Sequence, residues 1–209
     1  NLVYLPLILD EEEYCPGEGM SRQSWKNSVG GNFFILSTSR FDHSWKGSLI
    51  GLEGFAEFSK SFPDARLVMV RWGENKGELD DLLGRYGIRD KVLFLPLSGK
   101  ALLRDYLRSA DCMLDQFVLG YFGASGLEAM ASGLPIIGRI EEDQYESVCE
   151  TGSPPILNAE EPQQVTRYLK ELCSNITYRK TLSEKVRTWF LENHGSSRWA
   201  PDYEAVLVN

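Results

Sequence analysis

Cysteine is sparse and scattered. The four residues, Cys15, Cys112, Cys149 and Cys173, include no C-x-x-C pair and no spacing that fits a zinc site. Cys112 and Cys173 fall on apolar faces, so buried thiols in a reducing compartment are expected. Long hydrophobic runs are missing too. No stretch reaches the roughly 18–20 apolar residues that span a bilayer, so no transmembrane segment is expected. No dense Lys/Arg run occurs, and the net charge is −8 with a pI near 4.9. A phosphate backbone is repelled by such a chain, and nucleic acid is not expected as a partner. The start, Asn1 to Leu7, has neither an initiator Met nor a basic region. A signal peptide is therefore not expected, and the chain reads as part of a longer protein. There is no Walker A loop, no G-x-G-x-x-G fingerprint, no fixed-period repeat and no low-complexity tract.

What is present is ordinary globular texture, with 43% hydrophobic and 25% charged residues in 209. That length suits one domain with extensions. Residues 1–31, with the acidic run Asp10 to Glu13, Pro16-Gly17 and Gly30-Gly31, read as an interdomain linker. Short apolar runs then alternate with amphipathic stretches. Strands are expected at 33–38, 66–71, 91–95, 112–114, 134–137 and 156–157. Helices are expected at 46–62, around 79–83, 102–110 and 123–132, and over the faces at 165–173 and 182–190, with Pro162 in a first turn. The last segment, 196–209, reads as a tail, with Trp199 and Tyr203 as core or docking residues and Trp189 in the core. The alternation predicts a mainly parallel, Rossmann-like α/β sheet flanked by helices. Ligands in such folds sit beyond the carboxyl ends of the strands. The segments of interest are therefore Ser37 to Lys46, Trp72 to Glu74, Pro96 to Gly99 and Asp115 to Ala124.

Two cations follow the first strand, Arg40 and Lys46. A cation at a helix start is disfavoured by the macrodipole unless an anion meets it, although both also read as plain surface residues. Gly120, Gly123 and Gly126 lie between a strand and a helix, where glycine lets backbone approach a ligand and free amides bind phosphate. A tight strand-to-helix turn explains the same glycines. Glu128 stands one turn into that helix, either as a surface carboxylate or as an acceptor for ribose hydroxyls. His43 borders Arg40 and Lys46 but is equally a solvated loop residue. His194 follows a helix end, where a cation is mildly favoured. The sequon at Asn175-Ile176-Thr177 is discounted.

The stretch from Ser39-Arg40 to Lys46-Gly47, the segment Phe62 to Val70, the segment Ile88 to Phe94, and above all Gly123 with Leu127-Glu128-Ala129-Met130-Ala131-Ser132-Gly133-Leu134-Pro135-Ile136 resemble the C-terminal domain of retaining GT-B glycosyltransferases of group 1. The similarity runs over nearly the whole chain, including Leu5 to Asp10. It implies an enzyme fragment that binds a nucleotide-diphosphate-sugar, UDP- or GDP-linked, with no cofactor and no metal. Arg40 and Lys46 would grip the diphosphate and stabilise its growing charge. Amides around Phe122, Gly123 and Ala124 would cradle the same phosphates, and Glu128 would hold the ribose. Backbone near Pro96 and Leu97 would meet the base, and Leu127 would border the site. The acceptor domain would lie in a missing N-terminal half, where any peripheral membrane contact of an otherwise cytoplasmic protein would also arise.

The sequence departs from the family in one place. The family motif has two glutamates separated by seven residues, and the first falls on Gly120. The usual Pro-Ser before it is Asp115-Gln116, so either residue is a candidate for sugar contact. Two other readings stand beside the leading one: a binding module that has lost transfer chemistry, and an unrelated doubly wound interaction domain. A receiver domain would carry an acidic cluster after the first strand, where this chain has Ser37-Thr38-Ser39-Arg40.

Overall fold

The computed structural model describes residues 5–149 and 151–207. Of the sequence start, Asn1 to Tyr4 lie outside the described residues, as do the last two positions of the tail. Six strands form one parallel sheet: β1 (Phe33–Ser37), β2 (Ala65–Val70), β3 (Val92–Leu95), β4 (Cys112–Leu114), β5 (Ile136–Gly138) and β6 (Leu157–Asn158). Their spatial order is β3-β2-β1-β4-β5-β6, with every pairing parallel. This is a Rossmann-like sheet whose order reverses between β1 and β4, and the reversal opens a crevice at the carboxyl ends of those two strands. Both faces are covered by helices, which is why the central strands are apolar without alternation. Phe34, Ile35 and Leu36 on β1 are at most 1% exposed.

Nine α-helices occur among the described residues: α1 (Ser21–Val29), α2 (Ser48–Ser61), α3 (Leu79–Tyr86), α4 (Lys100–Ser109), α5 (Ala124–Ala131), α6 (Glu142–Glu146), α7 (Pro162–Ser174), α8 (Ile176–His194) and α9 (Ser196–Leu207). Pro162 sits in the first turn of α7, where Glu161 and Gln164 make a reciprocal capping box. Asn175, the sequon residue, caps α8 through Oδ1, which accepts from the Tyr178 amide at 2.9 Å. Helices α2 and α7 approach closely at Gly54, where a Cβ would stand 2.5 Å from that of Val165. No described helix is long and apolar enough to cross a membrane.

Residues 5–31 and 196–207 hold more structure than the sequence suggests. The linker reading of 1–31 finds no element there, yet α1 occupies 21–29 and buries Trp25 to 3%. It docks on α4: the Ser21 amide donates to Asp105 Oδ2 at 3.0 Å and Arg22 Nη1 donates to the Ser109 carbonyl at 2.8 Å. The tail forms α9, which buries none of its residues fully. Tyr203 Oη donates to the Pro6 carbonyl, and Glu11 accepts from the Ser196 and Ser197 amides at 2.7 and 3.0 Å. Trp189 is buried at 5%. Cys112 and Cys149 are buried, Cys15 and Cys173 are half-buried, and all four are free.

Candidate functional site

The loop after β1 carries both cations. Arg40 Nε lies 3.2 Å from Asp42 Oδ2, an ion pair whose angle misses hydrogen-bond geometry. Its side chain remains 38% exposed. Lys46 stands just before Gly47, which precedes α2, so it belongs to the loop and not to the helix's first turn. Its Nζ donates to Gln116 Oε1 at 2.6 Å. Gln116 is 1% exposed, and its Nε2 has no hydrogen-bond partner; the buried Oγ1 of Thr38, two residues before Arg40, has none either. Such atoms are uncommon in native interiors and mark places where water or ligand completes the bonding.

The loop after β4 begins with Asp115, 7% exposed, whose Oδ1 accepts from Ser39 Oγ at 2.9 Å and Ser125 Oγ at 3.4 Å. Burial pushes its carboxyl above the usual range, and Ser39, Lys46, Ser125 and the Gly123 amide draw it back. Gly120 has φ +72°, and a Cβ there would stand 2.6 Å from Glu141 Cγ. Position 120 therefore has no room for a side chain while Glu141 stays where it is. The Phe122 amide donates to Tyr145 Oη at 3.1 Å, and the Phe122 ring stacks on Tyr145 at 5.3 Å. The first turn of α5 has no side-chain cap, so its amides remain a site for negative charge.

Glu128 lies one turn further and is 3% exposed. Its Oε1 accepts from Tyr14 Oη at 3.0 Å and pairs with Lys100 Nζ. Burial and then the Glu128 carboxylate raise the Tyr14 hydroxyl above its ordinary pKa. Among the described residues, no group of three or more His, Cys, Asp or Glu is placed to hold a metal ion.

A cleft of about 650 Å³ gathers Arg40, Lys46, Gly123, Ala124 and Glu128, together with Trp72 and Lys100. These are the carboxyl ends of β1 to β4, the region that strand alternation points to. Asp115 and Gln116 back the cleft from the buried side. Other expected site residues stand apart from it. Leu127 is fully buried in the core, and its amide donates to Gly123 in the helix ladder. Phe122 packs with Trp189 and His194. Leu97 is 69% exposed and, like Gly120, is not in the cleft wall. His43 pairs with Glu78 at 3.2 Å. His194 Nδ1 meets the Leu7 carbonyl at 2.7 Å, and burial lowers its pKa.

Lys100 and Tyr14 are the residues that sequence reasoning missed. Lys100 is the first residue of α4. The macrodipole argument applied to Lys46 fits Lys100 better, since it is the cation inside a helix's first turn. No local signal could have found Tyr14, whose partner is 114 positions away.

The sequence model of the glycosyl transferases group 1 family matches residues 21–189. The mannosylfructose-phosphate synthase of Agrobacterium fabrum is 27% identical over 153 residues, covering 69% of this chain and 34% of that protein. The alpha-monoglucosyldiacylglycerol synthase of Acholeplasma laidlawii is 28% identical over 135 residues, or 65% and 33% of the two chains. The Anabaena protein Alr3699/HepE, solved with UDP-glucose, shares the fold with a TM-score of 0.77 at 17% identity, over 96% of this chain and 56% of that one. The C-terminal domain of the group 1 glycosyl transferase LpcC of Francisella tularensis superposes with a TM-score of 0.67 at 20% identity, over 87% and 95% of the two chains. The chain thus spans about a third of the two curated relatives and matches nearly all of an isolated C-terminal domain.

Proposed function

The chain belongs to the glycosyl transferases of group 1, and we propose that it is the donor-binding half of a retaining member of that family. The observation that carries this reading is the convergence, in one cleft at the sheet's switch point, of Arg40, Lys46 and the uncapped N-terminus of α5, with Glu128 one turn beyond. Two cations and a row of amides form a site for a diphosphate. A buried carboxylate beside it suits the ribose of the same nucleotide. HepE, which shares the fold, was solved with UDP-glucose, and this supports a nucleotide-diphosphate-sugar, UDP- or GDP-linked, as the donor.

In this reading the bond between the anomeric carbon and the leaving phosphate oxygen breaks, and the acceptor hydroxyl bonds to the same face of the sugar. Negative charge grows on the diphosphate as the bond lengthens. Arg40, Lys46 and the α5 amides are fixed before the reaction, so they stabilise that charge without reorganising. The acceptor hydroxyl gives its proton to the departing phosphate. The acceptor itself is held by an N-terminal domain outside this chain, a proposal supported by the share of HepE that the chain covers. The whole protein is assigned to the cytoplasm, with any membrane contact made through that other half; the four free cysteines support a reducing compartment.

The glycine at position 120 favours a second reading, a nucleotide-sugar-binding module without transfer activity. Calorimetric titration with UDP, GDP and UDP-glucose tests the first reading. Micromolar binding of one diphosphate is expected, and no heat with any of the three at millimolar concentration would refute the donor site. Sugar transfer measured on the full-length protein decides between enzyme and module.

A further inference from the structure

Among the described residues, three aromatic side chains are exposed: Trp45 at 58%, Trp72 at 36% and Tyr121 at 49%. All three line the cleft that holds Arg40 and Lys46. Exposed apolar side chains scattered singly over a surface carry no message, but three on the wall of one cleft do.

Trp72 differs from the other two in being locked. Its indole Nε1 donates to the Thr38 carbonyl at 3.0 Å. Its own carbonyl accepts from the Phe41 amide at 2.8 Å, and the Phe41 carbonyl accepts from the Asn75 amide at 3.1 Å. The next residue, Gly73, has φ +111°, and a Cβ there would stand 2.5 Å from the Phe41 carbonyl oxygen. The turn after β2 is thus cross-tied to the loop after β1 that carries Arg40. For Trp45 the hydrogen bond comes from the backbone, whose amide donates to Asp42 Oδ1 at 2.9 Å.

The sheet order gives the three rings different neighbours. The cations and the α5 N-terminus stand at the β1–β4 switch point. Trp72 follows β2, on the far side of β1 from β4, toward β3 and the start of α4. There Lys100 and Leu103 of α4, and Glu128, share the cleft with it. A nucleobase is bonded directly to its ribose. If the diphosphate lies at the switch point and the ribose at Glu128, the base extends to the side where Trp72 stands.

We infer that Trp72 is the platform on which the flat face of the nucleobase stacks. The inference rests on the donor-binding reading above. A locked ring loses little freedom when a base settles on it. Every base has a π-face, so the platform contributes affinity for nucleotides in general and leaves the choice between uracil and guanine to edge contacts.

The test is calorimetric titration of the 209-residue chain and of Trp72→Ala and Trp72→Phe with UDP, GDP and pyrophosphate. Trp72→Ala is expected to weaken UDP and GDP by about 10- to 100-fold and to leave pyrophosphate affinity unchanged. Trp72→Phe, which keeps a ring and guards against a folding defect in the alanine variant, should bind both nucleotides within about threefold of the parent. Tryptophan emission should fall when UDP is added to the parent chain, and most of that change should vanish in Trp72→Phe. Unchanged UDP and GDP affinity in Trp72→Ala, with the parent binding both, would overturn the platform and leave the donor site standing. Equal loss for nucleotides and pyrophosphate would assign Trp72 to the phosphate cradle instead. If the parent binds none of the three probes, the donor reading fails and this inference fails with it.

Discussion

Restoring the family's first glutamate by Gly120→Glu should damage this protein, and the structure says by how much. Gly120 has φ +72°, a left-handed conformation that costs an ordinary residue about 1–2 kcal/mol. The new Cβ would stand 2.6 Å from Glu141 Cγ, so Glu141 must swing away. Its side chain is 45% exposed and can do so, but it gives up its ion pair with Arg139, a surface pair of about 0.2–1 kcal/mol. Two carboxylates about 4 Å apart and fully screened by water repel by about 1 kcal/mol. The expected loss is about 2–4 kcal/mol, or a fall in melting temperature of about 5–15 °C for a chain of this size. The double variant Gly120→Glu/Glu141→Ala removes the clash and the repulsion and should recover about 1 kcal/mol, leaving the backbone cost and the lost Arg139 pair. Thermal and urea unfolding of the parent, the two single variants and the double variant close the cycle. A Gly120→Glu melting temperature equal to the parent's, or a double variant no more stable than Gly120→Glu, would refute the idea that Glu141 and the backbone together exclude a side chain at 120.

Three further outcomes follow from the site and its support. Arg40→Ala and Lys46→Ala should each weaken UDP or GDP binding by about tenfold or more while costing about 1 kcal/mol of stability, since the buried Asp42 and Gln116 each lose a partner; unchanged affinity by calorimetry would remove that residue from the site. Glu128→Ala should weaken nucleotide binding about tenfold and spare pyrophosphate, with a stability loss of about 1–3 kcal/mol because the buried Tyr14 hydroxyl loses its acceptor; equal loss for both ligands would contradict the ribose role. Burial opposes ionisation of Glu11, but hydrogen bonds from Ser196 and Ser197 outweigh it and hold its pKa at about 2, below the ordinary 4.5. A folded-state pKa below the unfolded one gives stability that is full above pH 4.5 and is lost as pH falls toward 2. Acid titration of the unfolding free energy should show about 1–2 kcal/mol of this loss, reduced for solvent screening, and Glu11→Gln should flatten it; parallel curves would show that Glu11 does not tie α9 to the lead-in segment.

The strand-and-helix alternation is legible because burial on a parallel sheet writes itself into runs such as Phe33 to Leu36. The loops where a ligand would sit follow from topology alone. What periodicity cannot report is a partner far along the chain. Helix α1 has one buried residue, Trp25, and is held by Asp105 and Ser109 on another helix, so its nine residues look like linker. Glu128 is legible as a candidate from its place one turn into α5, but Tyr14 and Lys100, which bond its carboxylate, are not.

The same limit decides which amides remain for a phosphate. Glycine spacing locates the start of α5 and makes Phe122, Gly123 and Ala124 equal candidates. In the folded chain the Phe122 amide is taken by Tyr145, and the Gly123 amide acts on the Asp115 carboxylate. Two of the three donors are therefore committed inside the protein, through residues that replace or follow the family's motif. Those that remain begin at Ala124 and run into the first turn of α5, which no side chain caps. A diphosphate at those amides would share the cleft with Lys46 and Glu128, which line it together with Ala124 and Ser125. Substituting Tyr145 by Phe frees the Phe122 amide without changing the aromatic stack. Phosphate affinity that stays constant in that variant would agree with a cradle built from the helix turn alone, whereas a gain would show that Tyr145 competes with the ligand for the loop.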